Sequence, residues 1–421
     1  MLPASAPSEV SPDSADVAIV GGGAAGLMAA IFAARSGART VLLEGGRALG
    51  LKILISGGGR CNVLPSVFCE DDYFTTGSRA VLRRLFRTWP LTDVHRFFNE
   101  DLAVDLVIEA GTGKVFPASQ RADEIRDALY HEAQRAGTTV LTGWRVQQVE
   151  PPTSLGSTFR LRAVDGRQLA AARVILATGG KSLPRTGSDG GGYELARALG
   201  HTILAPYPAL VPLFTDDPGF LSLSGISLPV EWSVRRDGKI VERRVRELLF
   251  THRGFSGPAI LDASHWSVRD RAPIEIQWAD AREEWQERLT TSGRRTVVTT
   301  LTERLPRRLV ELLCARAGVA PDTAGNQLRR EDRKLLLDQL CQTRLPVTGD
   351  EGYRKAEVTG GGVPVSEVNP STLESRSQPG LYLCGEILDV IGRIGGYNFL
   401  WAWVTGRLAG ESATTPRSRA I

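Results

Sequence analysis

Three glycines near the start of the chain have the spacing of a phosphate-binding turn. Gly21, Gly23 and Gly26 follow a short apolar run and open an alanine-rich segment. A pyrophosphate needs bare backbone at the N-terminus of a helix, where unpaired N–H groups and the helix dipole offset its charge. The first glycine permits the sharp turn, the second lets the phosphate approach, and the third lets helix and strand pack closely. The spacing therefore predicts a site for one dinucleotide, and the alternative is a glycine turn that binds nothing.

An acidic residue stands where it could bind the ribose of that dinucleotide. Glu44 ends the apolar run Thr40–Leu43, and an acid about 20 residues beyond the glycines commonly bonds the ribose hydroxyls. Because a carboxylate repels a 2′-phosphate, Glu44 favours an adenosine ribose that lacks one. Strand, glycines, helix, second strand and acid all occur in order, which makes a chance match less plausible.

A second glycine-rich stretch, residues 56–59, reads Ser56, Gly57, Gly58 and Gly59. Adjacent glycines cost backbone entropy unless something must come very close to the chain. We therefore expect a second close approach to the ligand here. Lys52 and Arg60 flank the stretch and could meet phosphate or developing negative charge. A flexible surface loop is the alternative.

The strands and helices around these residues must hold them in place. Apolar runs at 17–20, 40–43 and 173–177 predict buried parallel strands, whose carboxyl ends would carry the glycines, Glu44 and the small residues 177–180. A strand at 380–386 and a helix from Gly395 would bring the end of the chain into the same crevice. Periodicity and turn residues further predict helices at 78–89, 95–99, 121–135 with Ser119 as its cap, 301–317 and 327–341, and strands at 104–109, 114–116, 139–141, 145–149, 159–163, 167–170, 230–236 and 239–245.

Bulk properties narrow the class of protein. The chain has 421 residues, 42% of them hydrophobic, which is enough for two or three globular domains. Its apolar runs are far shorter than the roughly 20 residues of a membrane span, so no transmembrane helix is expected. Residues 1–15 are predicted to be a disordered tail and not a signal peptide. Five cysteines without a CxxC pair indicate a reducing, cytoplasmic setting and argue against a zinc site or a dithiol relay, so no metal is expected.

A surplus of positive charge lies in one helical segment. Residues 281–350 contain thirteen basic and ten acidic side chains, most of the net charge of +4. A solvated helical face explains this as well as a polyanion site does, so RNA remains a possible partner through this Arg-rich segment. His95, His131 and His201 stand singly and are expected to be packing or surface residues.

In these motifs the chain resembles the flavoproteins with two dinucleotide-domain motifs. Within that group it resembles the bacterial YhiN/HI0933-like family, also called aminoacetone-oxidase-like or BaiN-like. The matching segments are 21–26, 52–62, 177–181, 249–259, 356–359 with 361–363, and 385–386 with 395–399. The resemblance implies an α/β fold, a Rossmann-like FAD-binding domain with an inserted β-barrel-like piece and a helical piece. The boundaries expected are 16–203 and 351–412 for the split FAD domain, 204–280 and 281–350 for the inserts, and tails at 1–15 and 413–421.

The resemblance also suggests how the cofactor is held. Ala24 and Ala25 would join the three glycines at the pyrophosphate, Val146 would offer backbone bonds to the adenine, and Glu386 would meet the ribityl or phosphate region. The amides of Asn398 and Phe399 would face the flavin N1 and O2 edge, because a helix N-terminus stabilises the negative charge of a reduced flavin. The other residues expected at the cofactor are Lys52, Ser56, Gly57, Gly58, Thr178 and Gly385. Departures from the family pattern are Leu51, Leu64 with Pro65, and Leu400, of which Leu400 lies near the expected flavin.

The resemblance implies an FAD-dependent oxidoreductase that exchanges a hydride between flavin N5 and a polarised C=C or C=N bond. A reductase acting on a small molecule is favoured, with NAD(P)H as a candidate transient donor. Uridine reduction in ribosomal RNA and amine oxidation of the aminoacetone type are alternatives within the family. Two readings outside it are an NAD-dependent dehydrogenase that uses the first motif alone and an RNA-associated protein whose FAD is structural.

No residue is marked clearly as the catalytic acid or base. Arg60, His252 and Tyr397 are the candidates, because each lies in a segment expected to face the crevice. His252 could equally cap a turn in the insert. Cys61 could be redox-active, but a lone thiol without a resolving partner is more often a packing residue.

Overall fold

The computed structural model describes residues 13–154, 157–278 and 281–415. Most of the expected N-terminal tail, 1–12, and the end of the expected C-terminal tail, 416–421, lie outside these ranges. The chain forms two compact units. The first contains the residues up to Pro206 and those from Val358, and the second is Tyr207–Glu357. The regions expected to be separate β and helical inserts therefore share one unit.

A parallel sheet forms the centre of the first unit. Its parallel strands, in spatial order, are Thr139–Leu141, Thr40–Leu43, Ser14–Val20, Gln168–Leu176 and Leu381–Leu383. Val17, Ile19 and Leu42 are fully or almost fully buried, as strands covered on both faces require. The parallel sheet confirms the expected Rossmann-like α/β fold.

One long strand, Gln168–Leu176, corrects the prediction of two separate strands at 167–170 and 173–177. Its first half pairs antiparallel with Phe159–Ala163, which in turn pairs with Val146–Glu150. Its second half lies parallel to Ser14–Val20 on one side and to Leu381–Leu383 on the other. The strand stays continuous because, along one edge, Phe159–Ala163 pairs with its first half and Leu381–Leu383 pairs with its second half.

The two ends of the chain meet in this unit. Val174 pairs with Leu381, so a strand from residue 381 onward completes a sheet begun by residues 14–20. The C-terminal helix, Tyr397–Thr414, packs on the glycine-loop helix, Ala24–Arg35. A Cβ at Gly406 would lie 2.4 Å from the carbonyl oxygen of Ala25, so the two helix backbones nearly touch. The split domain is thus joined by both a strand pair and a helix pair.

The remaining elements of the first unit surround this core. Its other helices are Leu51–Ile55, Arg79–Arg87, Leu91–Arg96, which continues as a π-helical turn at Phe97–Asp101, Ala122–Arg135 and Gly191–Ala198. Small sheets are formed by Leu64–Pro65, Lys114–Pro117 and Leu106–Ile108, by Tyr73–Phe74 with Ile391–Gly392, and by Leu204–Ala209 with Val358–Gly362. Short 3-10 turns occupy Ser56–Gly58, Glu70–Asp72, Pro184–Thr186, Val365–Glu367 and Gly385–Ile387.

Ser119 does not cap a helix, contrary to the prediction. The helix begins at Ala122 after Arg121, and the Ser119 hydroxyl bonds the Glu124 carboxylate and accepts from the backbone N–H of Arg121 at 3.3 Å. Ser119 stands two residues before the N-cap Arg121, so its oxygen meets a side chain of the first turn and not the unpaired N–H groups of the helix.

The second unit combines an antiparallel sheet with helices. The seven strands, in spatial order, are Thr343–Arg344, Ile274–Gln277, Ser227–Arg236, Lys239–Thr251, Gly254–Ser256, Leu213–Phe214 and Gly349–Asp350. The helices are Pro218–Leu221, Gly257–Asp270, Arg282–Thr291, Val297–Leu301, Arg307–Arg316 and Arg330–Cys341, with a 3-10 turn at Gly325–Gln327. The helix predicted over 301–317 begins only at Arg307, after the N-cap Pro306, which lacks the N–H that a helix continuing from residue 301 would use. Leu301 is the last residue of a separate helix, Val297–Leu301.

No helix within the described ranges is long and apolar enough to span a bilayer.

A buried histidine makes the stability of the second unit depend on pH. Burial lowers the pKa of His265 from 6.5 to about 4, against the charge of Glu242. The folded chain keeps the ring neutral, whereas the unfolded chain takes up a proton below pH 6.5. Stability is therefore full above pH 6.5 and falls toward pH 4, by about 3 kcal/mol from this group.

Urea unfolding of the wild type and of His265→Phe at pH 7 and pH 4.5 tests this dependence. The variant is expected to lose less stability between the two pH values, because its buried ring cannot titrate. Equal losses in both proteins would show that His265 does not cause the effect.

Candidate cofactor and active site

The carboxyl edge of the parallel sheet gathers the segments expected to bind the cofactor. Ser14–Val20 delivers the glycine turn, Thr40–Leu43 delivers Glu44, and Gln168–Leu176 delivers residues 177–181. Leu381–Leu383 is followed directly by Cys384, Gly385 and Glu386. Parallel strands place all these loops at one edge, where ligands of such sheets bind.

Of the three glycines in the turn, Gly23 is the one that leaves room for a ligand. Gly21 has φ +107° and Gly26 would place a Cβ 1.8 Å from the carbonyl oxygen of Gly21, so both are required by the protein itself. Gly23 has an ordinary φ of −80°, and a Cβ there would meet no atom within 4 Å. The backbone therefore leaves open the space that a phosphate would fill.

The glycine-loop helix offers hydrogen-bond donors to that space. Its first internal bond runs from Leu27 N to Gly23 O, at 2.9 Å. The N–H groups of Ala24, Ala25 and Gly26 consequently have no acceptor within the helix. The open space at Gly23 beside these N–H groups fits the pyrophosphate of FAD.

The Glu44 carboxylate holds the glycine turn through two backbone hydrogen bonds. Its Oε2 accepts from Gly22 N at 2.8 Å and its Oε1 accepts from Gly46 N at 2.6 Å. A Cβ at Gly187 would lie 3.9 Å from Oε1. The two backbone bonds fix the orientation of the carboxylate, and its role at a ribose stays a prediction.

A polar network joins both ends of the chain next to this turn. Lys52 Nζ donates to Glu386 Oε2 and to Ser182 Oγ, each at 2.7 Å. Glu386 Oε1 accepts from Ser182 Oγ at 3.0 Å and from Thr359 N at 2.9 Å. Thr359 Oγ1 in turn accepts the N–H groups of Lys181 and Ser182 at 2.7 and 2.9 Å. The sequence predicted a cofactor role for Lys52 and Glu386 but for neither Ser182 nor Thr359, although Thr359 lies in the family-matching segment 356–359, because only tertiary contacts connect these residues.

Removing Lys52 should destabilise the first unit. Lys52→Met leaves the Glu386 carboxylate, whose side chain is only 19% exposed, without its cation. We expect a loss of about 2 kcal/mol in unfolding free energy, below the cost of breaking a fully buried pair. Glu386→Gln in the same background should recover part of the loss.

Urea unfolding of the two single variants and the double variant measures the coupling. Lys239→Met, at an exposed hairpin position, controls for the loss of a surface charge. Strictly additive effects would contradict an energetic link between Lys52 and Glu386.

The second glycine stretch is a left-handed turn beside the hairpin strand Lys114–Pro117. Gly57, Gly58 and Gly59 have φ values of +56°, +70° and +85°, which explains three glycines in a row. A Cβ at Gly57 would lie 3.0 Å from the Phe116 ring, whereas Gly58 is open. Ser56 Oγ donates back to Ile53 O at 2.8 Å. The stretch is a defined turn, and its approach to a ligand stays a prediction.

Arg60 is held by the same hairpin. It pairs with Glu109 at 2.8 Å and its guanidinium lies 4.1 Å from the centre of the Phe116 ring. Neighbouring Cys61 is fully buried, and burial raises the pKa of its thiol to about 12. A thiol with this pKa is a poor nucleophile at neutral pH, so the packing interpretation of Cys61 is the one the structure supports.

The N-terminus of the C-terminal helix is arranged by glycines and by Asn398. Gly395 and Gly396 have φ values of +119° and +92°. The Asn398 side chain accepts from Gly392 N and donates to Gly392 O, both at 2.8 Å. Since the first internal bond runs from Leu400 N to Gly396 O, the N–H groups of Tyr397, Asn398 and Phe399 have no acceptor within the helix.

The Tyr397 hydroxyl links the Arg393 side chain to the backbone at Val67. Its hydroxyl accepts from Arg393 Nη2 at 3.0 Å and donates to Val67 O at 3.2 Å. Burial raises its pKa, so the hydroxyl stays protonated at neutral pH. His252 is an exposed turn residue of the second unit, between Lys239–Thr251 and Gly254–Ser256. A catalytic role for Arg60, His252 or Tyr397 stays a prediction.

Three further residues predicted at the cofactor lie in or just after strands of the central sheet, and their contacts with it stay predictions. Val146 begins an edge strand and is paired with Ala163. The Thr178 hydroxyl is buried against Gly192. Gly385 has φ +76° and would place a Cβ 2.7 Å from that of Ala25, so it permits the C-terminal segment to approach the glycine-loop helix.

Comparison with known proteins gives a family over nearly the whole chain. A family model described as HI0933-like protein Rossmann domain matches residues 15–412. A ribosomal RNA dihydrouridine synthase of Escherichia coli is 34% identical over 397 residues, covering 92% of this chain and 95% of that protein. A 3-dehydro-bile acid delta(4,6)-reductase of Clostridium scindens is 32% identical over 410 residues, covering 94% and 98%.

A solved structure shows the same fold at low identity. The 3-ketosteroid-delta4-(5alpha)-dehydrogenase of Rhodococcus jostii superposes with a TM-score of 0.50 and 16% identity, covering 97% of this chain and 99% of that one. At this identity the likeness supports the fold alone.

Proposed function

The chain belongs to the HI0933-like family of FAD-dependent oxidoreductases, and we propose that it reduces a polarised C=C or C=N bond of a small molecule. The observation that carries this proposal is the open phosphate cradle at Gly23 together with a second helix N-terminus supplied by the far end of the chain. FAD bound there supplies hydride transfer at its N5.

The protein's own contribution is charge stabilisation and positioning. The N–H groups at the start of Tyr397–Thr414 form a positive helix end, which we propose favours negative charge on the reduced flavin. Asn398 and the glycines hold this end in place. The ion pair between Lys52 and Glu386 ties the C-terminal segment Gly385–Ile387 to the N-terminal half of the domain.

The two curated relatives support a reductase. One is named for forming dihydrouridine and the other as a delta(4,6)-reductase, and both names describe the saturation of a carbon–carbon double bond. We therefore propose a C=C bond made electrophilic by a neighbouring carbonyl as the preferred target. NADH or NADPH is the proposed electron donor.

Uridine reduction in ribosomal RNA is the second candidate, favoured by the relative of that name. The charge of residues 281–350 gives it little support. Seven of the thirteen basic side chains there are already paired with carboxylates, namely Arg282, Arg288, Arg295, Arg307, Arg316, Arg329 and Arg344. A solvated helical face accounts for this segment.

Anaerobic stopped-flow of the purified protein tests the proposal. Reduction of the flavin absorbance by NADH or NADPH, followed by reoxidation with a conjugated enone, is the expected result. Reoxidation by unmodified ribosomal RNA and not by enones would favour the second candidate. Reduction by aminoacetone instead of a nicotinamide would indicate an oxidase, and a flavin inert to every donor and acceptor would leave only a structural role.

A further inference from the structure

The geometry points to Arg145 and Asp189 as an ionic latch that retains the adenosine end of the cofactor. Arg145 precedes the edge strand Val146–Glu150, and Asp189 is the last residue but one of the loop 181–190, which leads into the helix Gly191–Ala198. Arg145 Nη2 lies 2.8 Å from Asp189 Oδ1 and 2.7 Å from Oδ2. The inference rests on FAD binding as proposed above, and it assigns these two residues a positioning role at the end remote from the flavin ring.

Two glycines make room for the arginine side chain. A Cβ at Gly45 would lie 2.9 Å from Arg145 Cδ, and a Cβ at Gly191 would lie 2.5 Å from Arg145 Nη2. Gly45 directly follows Glu44, the acid expected at the adenosine ribose. Arg145 therefore crosses the chain beside Glu44 to reach the loop.

The loop is fixed at both of its ends. Near its start, Ser182 bonds Lys52 and Glu386. At its far end, Asp189 Oδ1 also accepts from Gly191 N at 3.0 Å. Between them Gly187 approaches the Glu44 carboxylate, and Gly187 and Gly190 have φ values of +90° and +89°. Such residues allow a loop to turn sharply over a ligand.

The solvent exposure of the Arg145–Asp189 ion pair suits a contact that forms and breaks reversibly. Arg145 and Asp189 are 41% and 47% exposed. Burial acts to raise the pKa of Asp189, but the Arg145 bond and the Gly191 N–H outweigh it and lower the pKa, so the carboxylate is charged at neutral pH. An exposed pair is weak and screened by salt. It can therefore slow cofactor loss without making binding irreversible.

Arg145→Gln and Asp189→Asn test the latch through cofactor release. We expect each variant to release FAD about two- to fivefold faster at low salt, the range an exposed ion pair supports. The double variant should be no faster than either single one. Raising the salt concentration should speed release from the wild type toward the rate of the variants. Arg197→Gln, which breaks an exposed pair with Glu194 in the adjoining helix, is the matched control and should release FAD at the wild-type rate.

Titration of the apo-proteins with ADP localises the effect. Because ADP carries the adenosine end without a flavin, the latch variants should bind it more weakly by a similar factor, with an unchanged flavin absorbance spectrum in the FAD-loaded form. Release rates equal to the wild type, or unchanged ADP affinity, would overturn the latch. A wild type that binds no FAD at all would instead overturn the proposed function, so the two failures are distinguishable.

Discussion

Replacing Gly23 by valine is expected to abolish FAD binding while the protein still folds. The Gly23 backbone is extended, with φ −80° and ψ −168°, a conformation that valine adopts readily. Beyond the residues next to it in the chain, no atom lies within 4 Å of the Cβ position, so we expect the free protein to accept the side chain. Its methyl groups would occupy the space beside the free N–H groups of Ala24, Ala25 and Gly26.

The expected loss of FAD affinity is at least about 100-fold, or about 2.7 kcal/mol. Isothermal titration of the apo-protein with FAD measures it, and thermal unfolding without FAD checks that the fold is intact. Gly37→Ala is the matched control, because Gly37 follows the other end of the same helix with open space around it and φ +87°. That variant should lose about 1 kcal/mol of stability through backbone strain and retain FAD. Normal FAD affinity in Gly23→Val would show that the phosphate does not lie against this turn.

Replacing Gly406 by valine should have the largest effect on folding. Its Cβ would lie 2.4 Å from Ala25 O and 3.0 Å from Met28 Cβ, so the C-terminal helix must move away from the glycine-loop helix. Overpacking of this kind costs about 3 kcal/mol. The displacement also acts on Ala25, which stands at the start of the glycine-loop helix.

Urea unfolding with and without FAD measures both consequences. Gly406→Val should unfold at a lower urea concentration, and FAD should restore less stability than it adds to the wild type. Ser412→Val, a β-branched change at a half-buried position of the same helix, controls for helix propensity. A variant as stable as the wild type would mean that the two helices need not approach so closely.

Local pattern was sufficient for much of the fold. The strands at 17–20 and 40–43, the turn Gly21–Gly23–Gly26 and the helix after it are set by residues close together in the chain, and so is the hairpin around 237–238. The errors arose where a neighbour in space or a single residue outweighed the pattern. Two strands predicted at 167–170 and 173–177 are one because its edge is shared by two partners. Pro306 delays to residue 307 the start of a helix that periodicity alone would begin at residue 301.

The sequence by itself determined that a dinucleotide cradle exists and which glycines build it, because their spacing and the helix that follows are local properties. It could not determine the network of Lys52, Ser182, Thr359 and Glu386, since Lys52 and Glu386 are 334 residues apart. Nor could it show that Gly406 approaches Ala25, or that Arg145 crosses Gly45 to reach Asp189. Hydrogen bonds and close backbone contacts act over a few ångströms, so only the folded chain decides which distant residues come within their reach.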